Sequence, residues 1–534
     1  MDWNFGDILD AVAERIPQDR DALVHPGRTR SWGDMTARSN ALARAFLAHG
    51  ASTNSKVAMM MRNRPDYLEA LAASFKARMV HVNVNFRYTG DELFHIFDNS
   101  DTEVIIYGEE FSEVIAALKP RLTKVKLFAE IFEDTKQNDF AESYMALAEG
   151  DRTPLDIPRL GDDLLFVYTG GTTGLPKGVM WPQKSLWGAM GGGAPQPGMK
   201  RPDSMEEHLA NVEAMGGMGR LLVLAPFMHG AGMMTSINTL CMGGAVITLP
   251  GHGFDPAEAL QSIQDNKATQ VLLVGDAFAK PLLKTLDENP GAYDISSLMV
   301  IISSGAMFSM GIKQALLKHN PKMLIMDTYG SSEGIGLGTS ITTAQGTQST
   351  AKFKLGAKTK LFTEDYQEIA PGSPERGLVA RSGSIPVGYY KDEAKTAKTF
   401  PVIDGVRYSV PGDWATAEAD GTLTLLGRGN QCINSGGEKI FPEEVEEALK
   451  THAHVEDTLV IGTADEKWGQ AVTALVDLAV PTSDADLSAH VRQSLAGYKV
   501  PKRYLSVQTI PRQPNGKADY VTAKKMAAEL LLTQ

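Results

Sequence analysis

Cysteine is almost missing from this chain. There are two in 534 residues, Cys241 in the apolar run TLCMGGAVITL and Cys432 far downstream in NQCINSGG. That scarcity excludes a disulfide framework and gives no zinc-ligand spacing, so a reducing, cytoplasmic setting is expected. Long hydrophobic runs are missing too. No stretch approaches the roughly 20 apolar residues that a spanning helix needs, so no stable membrane insertion is expected. The first residues, MDWNFGDILDAVAERIPQD, are acidic and read as neither a signal nor a transit peptide. Basic charge is in short supply, with 52 Lys and Arg against 64 Asp and Glu, a net charge of −12. Such a balance argues against non-specific binding to nucleic acid or anionic membranes and leaves small ligands open. What remains is an ordinary globular composition, 43% hydrophobic and 22% charged, long enough for two or three domains.

The chain alternates strand-like and helix-like patterns. VAMMM, MVHVNV, EVIIYG and DDLLFVYTG read as strands, with helical PDYLEALAASFKA and TGDELFHIFDNS between them. The alternation resumes at RLLVLAPFMHG and GAVITLP, then a helix DPAEALQSIQDNKA capped by Asp255, then TQVLLVG and LMVIISSGA. This is the βαβ signature of parallel, doubly wound sheets, an α/β fold. Residues 188–219 are rich in Gly, Met and Pro and are expected to form a long loop or insertion. From about 355 to 427 short β-like segments predict a small β-subdomain. The last part, with helices PEEVEEALK and SDADLSAHVRQSLAG around strands VEDTLVIG and AVTALVDLA, reads as a smaller α+β module. The expected domains are 1–427 and 432–534, joined by a hinge at 428–431.

Tyr168 to Met180 reads YTGGTTGLPKGVM. Glycines let backbone N–H groups close on a ligand, threonines add hydroxyl donors and Lys177 adds positive charge, which together suit a phosphate chain. It is not a Walker A loop, because Lys177 follows Pro176 and precedes Gly178. Alone, the stretch is equally well a mobile surface loop.

YTGGTTGLPKG closely resembles the phosphate-loop signature of the adenylate-forming enzymes, which include acyl-CoA synthetases, peptide-synthetase adenylation domains and beetle luciferases. Six further resemblances follow in order: PFMHGAG (226–232), SSGAMFS (303–309), DTYGSSEG (327–334), YSVPGDWA (408–415), GRGNQCINSGGEKIFPEEVE and PRQPNGKAD (511–519). They span essentially the whole chain and make a chance match negligible.

The resemblance implies roles residue by residue. Thr169, Gly170, Gly171, Thr172, Thr173, Gly174 and Lys177 would hold the β- and γ-phosphates of ATP. Gly305, Ala306, Asp327, Thr328, Tyr329, Gly330, Ser331 and Ser332 would form the adenine side, with Tyr329 offering its ring. Glu333 would hold Mg2+, a hard cation that prefers carboxylate oxygen. Asp413 and Arg428 would bind the ribose hydroxyls. Lys517 would meet the α-phosphate and substrate carboxylate as negative charge develops, and His229 would sit near that carboxylate. Ser435, Gly436 and Gly437 would line the channel for CoA, and Asn430 would lie in a hinge about which the C-terminal module rotates between half-reactions. A homodimer is a further implication.

The sequence departs from the family pattern at several places. Gly170 stands where a serine is usual, Ser332 where threonine is common, Asn430 where the hinge usually carries Asp or Lys, and YSVPGD replaces the common Arg-Thr pair. Asn434 falls where luciferase-type enzymes carry a second lysine, so light emission is not expected. After Glu333 the chain reads GIGLG. Small residues there leave room for a medium, long or bulky apolar acid, and Met233, Met234 and Met307 are candidates to line that space. Three readings are open: an ATP-dependent acyl-CoA ligase, an adenylating enzyme that loads a carrier protein, and a non-catalytic nucleotide-binding relative. The presence of both Lys517 and Glu333 weighs against the last.

Overall fold

The computed structural model describes the chain except residues 1, 89, 170–174, 195–198, 218, 252, 307, 347–351, 357, 436–437, 466–468, 514–515 and 533–534. The expected strand–helix alternation folds into three sheets among the described residues.

The first sheet has Lys56–Met60 at its centre, parallel to Val80–Asn83 on one side and to Thr102–Gly108 on the other. Strand order therefore reverses here, as in doubly wound sheets. Helix Pro65–Lys76 connects Lys56–Met60 to Val80–Asn83 and is buried on nearly every face. Proline at its first turn and a lysine in its last suit those ends. Beyond Val80–Asn83 lie Leu164–Thr169, its antiparallel partner Lys177–Pro182, and the edge strand Gly388–Tyr389.

The second sheet is parallel through Asp21–Val24, Ala245–Ile247, Arg220–Val223, Gln270–Leu273, Val300–Ser304 and Leu324–Ser331. It turns antiparallel at Gly334–Thr342. Lys352–Leu355 then links it to Thr422–Arg428, Asp413–Ala417 and Arg376–Ser382. The predicted small β-subdomain is thus the far end of this sheet, with its own core around Leu337, Leu361, Val379 and Leu423. One large core, including Phe5, Trp32, Phe75, Trp181 and Leu273, fills the space between the first two sheets and their helices.

The third sheet belongs to the last hundred or so residues. Val455–Asp465 and Gly469–Leu478 form a long antiparallel pair, and Gly469–Leu478 also pairs with Ile433–Ser435 and with Arg503–Ser506. Helices Pro442–Lys450, Asp484–Val491 and Tyr520–Leu532 pack around it over two clusters of buried aliphatic residues.

The segment 188–219 corrects the sequence expectation. It contains helix Met205–Ala214, which buries His208, Leu209 and Val212. The Ser204 side chain accepts from the Glu207 amide at 3.1 Å, and Glu207 reaches back to the Asp203 amide at 2.7 Å. The expected Asp255 cap is present: its carboxylate accepts from the amides of Ala257 and Glu258. No helix among the described residues is long and apolar enough to cross a membrane.

Candidate active site

The phosphate-loop stretch is a hairpin. Tyr168 opposes Gly178 and Thr169 opposes Lys177 across its two strands. A Cβ at Gly178 would lie 2.7 Å from the Tyr168 ring, so the glycine after Lys177 is what lets that ring lie across the hairpin. Gly170, Gly171, Thr172, Thr173 and Gly174 lie outside the described residues. At the hairpin base Asn83 is buried and acts as a clamp. It donates to the carbonyls of Tyr168 (3.0 Å) and Met228 (2.6 Å) and accepts from the Tyr168 amide (2.6 Å). Asn63 holds the same PFMHGAG turn from the other side, through Ala225 O at 3.0 Å and the Phe227 amide at 2.7 Å.

That turn presents His229 at the start of helix Gly230–Cys241. Its Nε2 is shut off from solvent and has no hydrogen-bond partner among the described residues. Burial, with the positive charges of Lys517 and Arg87 adding to it, pushes His229 down to about 4. The imidazole is therefore neutral at physiological pH, with a buried polar nitrogen left over for a ligand.

The adenine-side segment lies at the carboxyl ends of adjacent parallel strands. Val300–Ser304 delivers Gly305 and Ala306, and Leu324–Ser331 delivers Asp327, Thr328, Tyr329, Gly330 and Ser331. Thr328 Oγ1 donates to Ser303 O at 3.1 Å, tying the two together. Asp327 is ion-paired with Lys313. Burial raises the Asp327 carboxyl from its ordinary value, against the pull of that ammonium group. Tyr329 packs against Phe353 with ring centroids 5.5 Å apart.

Ser331 pairs with Gly334 across a tight turn whose tip is Ser332 and Glu333. The tip is pinned three times. Trp181 Nε1 donates to Ser332 O at 2.8 Å, Ser409 Oγ to Glu333 O at 2.6 Å, and the Tyr389 hydroxyl to Glu333 Oε1 at 2.7 Å. Asp413 is buried, and its backbone opposes that of Arg428 on one rung of the antiparallel ladder. Lys177 is ion-paired with Asp392.

Lys517 comes from the far end of the sequence. A Cβ placed on Gly305 would lie 3.1 Å from Lys517 Cε and 3.8 Å from Nζ, so the lysine lies directly over that glycine. Gly305 has φ +89°, the left-handed region that a side chain disfavours. The neighbouring Gly516 docks the same loop: a Cβ there would lie 2.8 Å from Ala277 Cβ. Lys517, Gly305 and His229 therefore share one site. Ser435 does not join it. It is buried on the third sheet, where it pairs with Gly469. Gly436, Gly437 and Met307 lie outside the described residues, and Asn430 falls in the short turn Gly429–Gln431 that follows Arg428.

The sequence reading did not single out Tyr389, Asp392, Lys313, Trp181 or Asn83, and it gave Ser409, inside the YSVPGDWA motif, no role of its own. Outside that motif, none carries a distinctive local pattern. A rule that each charged site residue needs a partner would have prompted a search for Lys313 and Asp392, but not located them. Among the described residues there is no cluster of three His, Cys, Asp or Glu side chains that could hold a metal by itself.

The family model for AMP-binding enzymes matches residues 9–390, and that for the AMP-binding enzyme C-terminal domain matches 444–517. The medium/long-chain-fatty-acid–CoA/3-oxocholest-4-en-26-oate–CoA ligase of Mycolicibacterium smegmatis is 40% identical, covering 99% of this chain and 97% of its own. The 3-oxocholest-4-en-26-oate–CoA ligase of Rhodococcus rhodochrous is 39% identical, covering 98% and 96%. Among solved structures, the anthranilate CoA ligase AuaEII in complex with anthranoyl-AMP superposes with a TM-score of 0.82 at 21% identity, covering 99% of this chain and 98% of that one. Ordered motifs, shared architecture and full-length identity agree: the chain belongs to the adenylate-forming, AMP-binding enzyme family, in its acyl-CoA synthetase branch.

Proposed function

We propose that this protein is an ATP-dependent, AMP-forming acyl-CoA ligase for a medium- or long-chain fatty acid or a bulky apolar acid such as a steroid side-chain acid. It activates the carboxylate as an acyl-adenylate with release of pyrophosphate, then transfers the acyl group to the CoA thiol with release of AMP. The observation that carries this reading is Lys517 lying over Gly305, beside neutral His229, in a chain 40% identical to a fatty-acid and steroid-acid ligase.

Two anions have to meet for the first step, and the site supplies the means. The Lys517 ammonium stabilises charge gathering on the α-phosphate and the attacking carboxylate. Neutral His229 offers its unpartnered Nε2 to the acid without adding a second positive charge beside Lys517. Lys177 neutralises the departing phosphates, and Asp413 accepts from the ribose hydroxyls. Glu333 fits a magnesium ion that rides on the nucleotide: Tyr389 holds one carboxylate oxygen and leaves the other. Mg2+ typically takes only one or two protein carboxylates, completing its shell with phosphate oxygens and water. Held by Glu333, such an ion would supply Lewis-acid neutralisation of the phosphate charge.

The second step needs Lys517 withdrawn, and 428–431 is the hinge of this proposal, between domains 1–427 and 432–534. Ser435, Gly436 and Gly437 then line the thiol channel. The GIGLG run falls in strand Gly334–Thr342, but Arg381 and Phe353 close over Gly336 and Gly338 and Leu337 is core, so these small residues do not open the room the sequence suggested. The relatives' names supply the acid class. A cytoplasmic location and a homodimer complete the proposal, the latter checked by sedimentation. The deciding experiment is pyrophosphate release from ATP and Mg2+ with a panel from acetate through long fatty acids to steroid side-chain acids, each with and without CoA. Turnover that requires CoA for a large apolar acid supports the reading. An adenylate that CoA cannot discharge points instead to a carrier protein.

A further inference from the structure

The short segment from Gly388 to Asp392 touches both charged arms of the phosphate site. Tyr389 is only 5% exposed and its hydroxyl donates to Glu333 Oε1 at 2.7 Å. Three residues on, Asp392 holds Lys177 and caps helix Glu393–Thr399. The segment is built onto the strand that carries Lys177. Val387 N donates to Met180 O at 2.9 Å and Tyr390 N to Gly178 O at 2.8 Å. The Tyr389 amide is fixed by Thr396 Oγ1 at 2.9 Å, and its ring lies 5.9 Å from that of Phe400. The phenol is thus aimed by packing and by the sheet.

We propose that Tyr389 is a positioning residue for the cation-binding carboxylate of Glu333, an inference that rests on the adenylation reading of this site. Glu333 sits at a turn tip, half-buried, where a free carboxylate would sample several rotamers. The phenol takes Oε1 and so presents Oε2 to the cation in one orientation. A neutral donor does this without a competing positive charge. Because the same segment pairs Asp392 with Lys177, the acidic and basic arms are set at a fixed spacing before nucleotide arrives. Partners of metal-holding groups typically carry about 10- to 100-fold in metal affinity.

The test is an electron paramagnetic resonance titration of Mn2+ on the full-length protein saturated with α,β-methylene-ATP. Tyr389→Phe keeps the ring and removes the hydroxyl. It is expected to weaken Mn2+ binding by about 10-fold or more, with a cooperative melt retained and metal-free AMP binding unchanged. Glu333→Gln should weaken it as well, and adding Tyr389→Phe to Glu333→Gln should cost nothing further. Wild-type Mn2+ affinity in Tyr389→Phe, with Glu333→Gln impaired, overturns the positioning role and leaves the site reading standing. Wild-type affinity in Glu333→Gln removes Glu333 as the metal ligand, and the inference falls with it. Should Tyr389→Phe lose its cooperative melt, Glu333→Asp draws the acid away from the phenol. Unchanged Mn2+ affinity in that variant also overturns the inference.

Discussion

Gly305 and Lys517 lie more than two hundred positions apart in sequence and meet at one point, so each can be tested through the other. Lys517→Ala is expected to slow pyrophosphate formation by roughly 100- to 1000-fold, the scale of one preorganised electrostatic contact. Thioester formation from supplied acyl-adenylate should be spared. Equal loss in both halves would show that Lys517 does not serve adenylation alone. Gly305→Ala puts a methyl 3.1 Å from Lys517 Cε at a φ of +89°. It should mimic the lysine variant in direction, because the lysine has to shift. His229 gives a pH test. Its folded pKa is about 4, below the ordinary 6.5, so the folded state binds fewer protons than the unfolded chain between those values. The neutral ring's contribution is complete above about pH 6.5 and is lost as pH falls toward 4. The stability gap between wild type and His229→Asn, read by urea unfolding, should therefore shift against the wild type from pH 7 to pH 5. A gap constant with pH would mean that the imidazole is not held neutral. The candidate site residues could be picked out of the sequence because glycines, hydroxyls and charges sit in fixed short patterns. Their supports were not: Asn83, Tyr389 and Lys313 act through contacts that only the folded chain creates.

At the scale of elements, strand–helix alternation was legible because buried parallel strands are short apolar runs and their helices carry apolar faces. The helix Met205–Ala214 was missed because the glycines around it masked a weak apolar face. Its start was nonetheless written in Ser204 and Glu207, the spacing of a capping box. Nor did local pattern reveal that the late β-segments would extend the second sheet, since pairing with Lys352–Leu355 depends on partners distant in sequence. The hairpin and the His229 turn are joined by Asn83, which makes three hydrogen bonds in the core. Asn83→Ala should lower unfolding free energy by about 2–3 kcal/mol, since buried backbone groups are left unsatisfied. It should also weaken ATP binding at temperatures where the protein is fully folded, because the phosphate hairpin loses its anchor. Unchanged nucleotide affinity in the folded variant would reduce Asn83 to a purely structural residue.

At the scale of the whole molecule, the C-terminal module meets the rest of the chain at several points, Trp414 against Phe441 and Arg376 over Phe441 among them. Lys517 lies over Gly305, Gly516 rests on Ala277, and Lys280 meets the carbonyl of Glu456. The module's own core is separate, centred on residues such as Val460, Val472 and Leu449. A part of the chain with its own core is a candidate to move as one body, and the movement is tested through its contacts. The contact at Gly516 is close enough to act as a stop. Its φ is +81°, and a Cβ there would lie 2.8 Å from Ala277 Cβ. Gly516→Val should hold the module off helix Asp276–Glu288, slow pyrophosphate formation and leave thioester formation from supplied acyl-adenylate intact. Gly437→Leu is expected to do the reverse if the proposed thiol channel passes Gly437, because a leucine would obstruct it. Single-turnover assays of each half-reaction separate the two. Opposite partitioning in the two variants supports two placements of one module. If both variants lose the same half, one fixed placement serves both steps and the hinge reading fails.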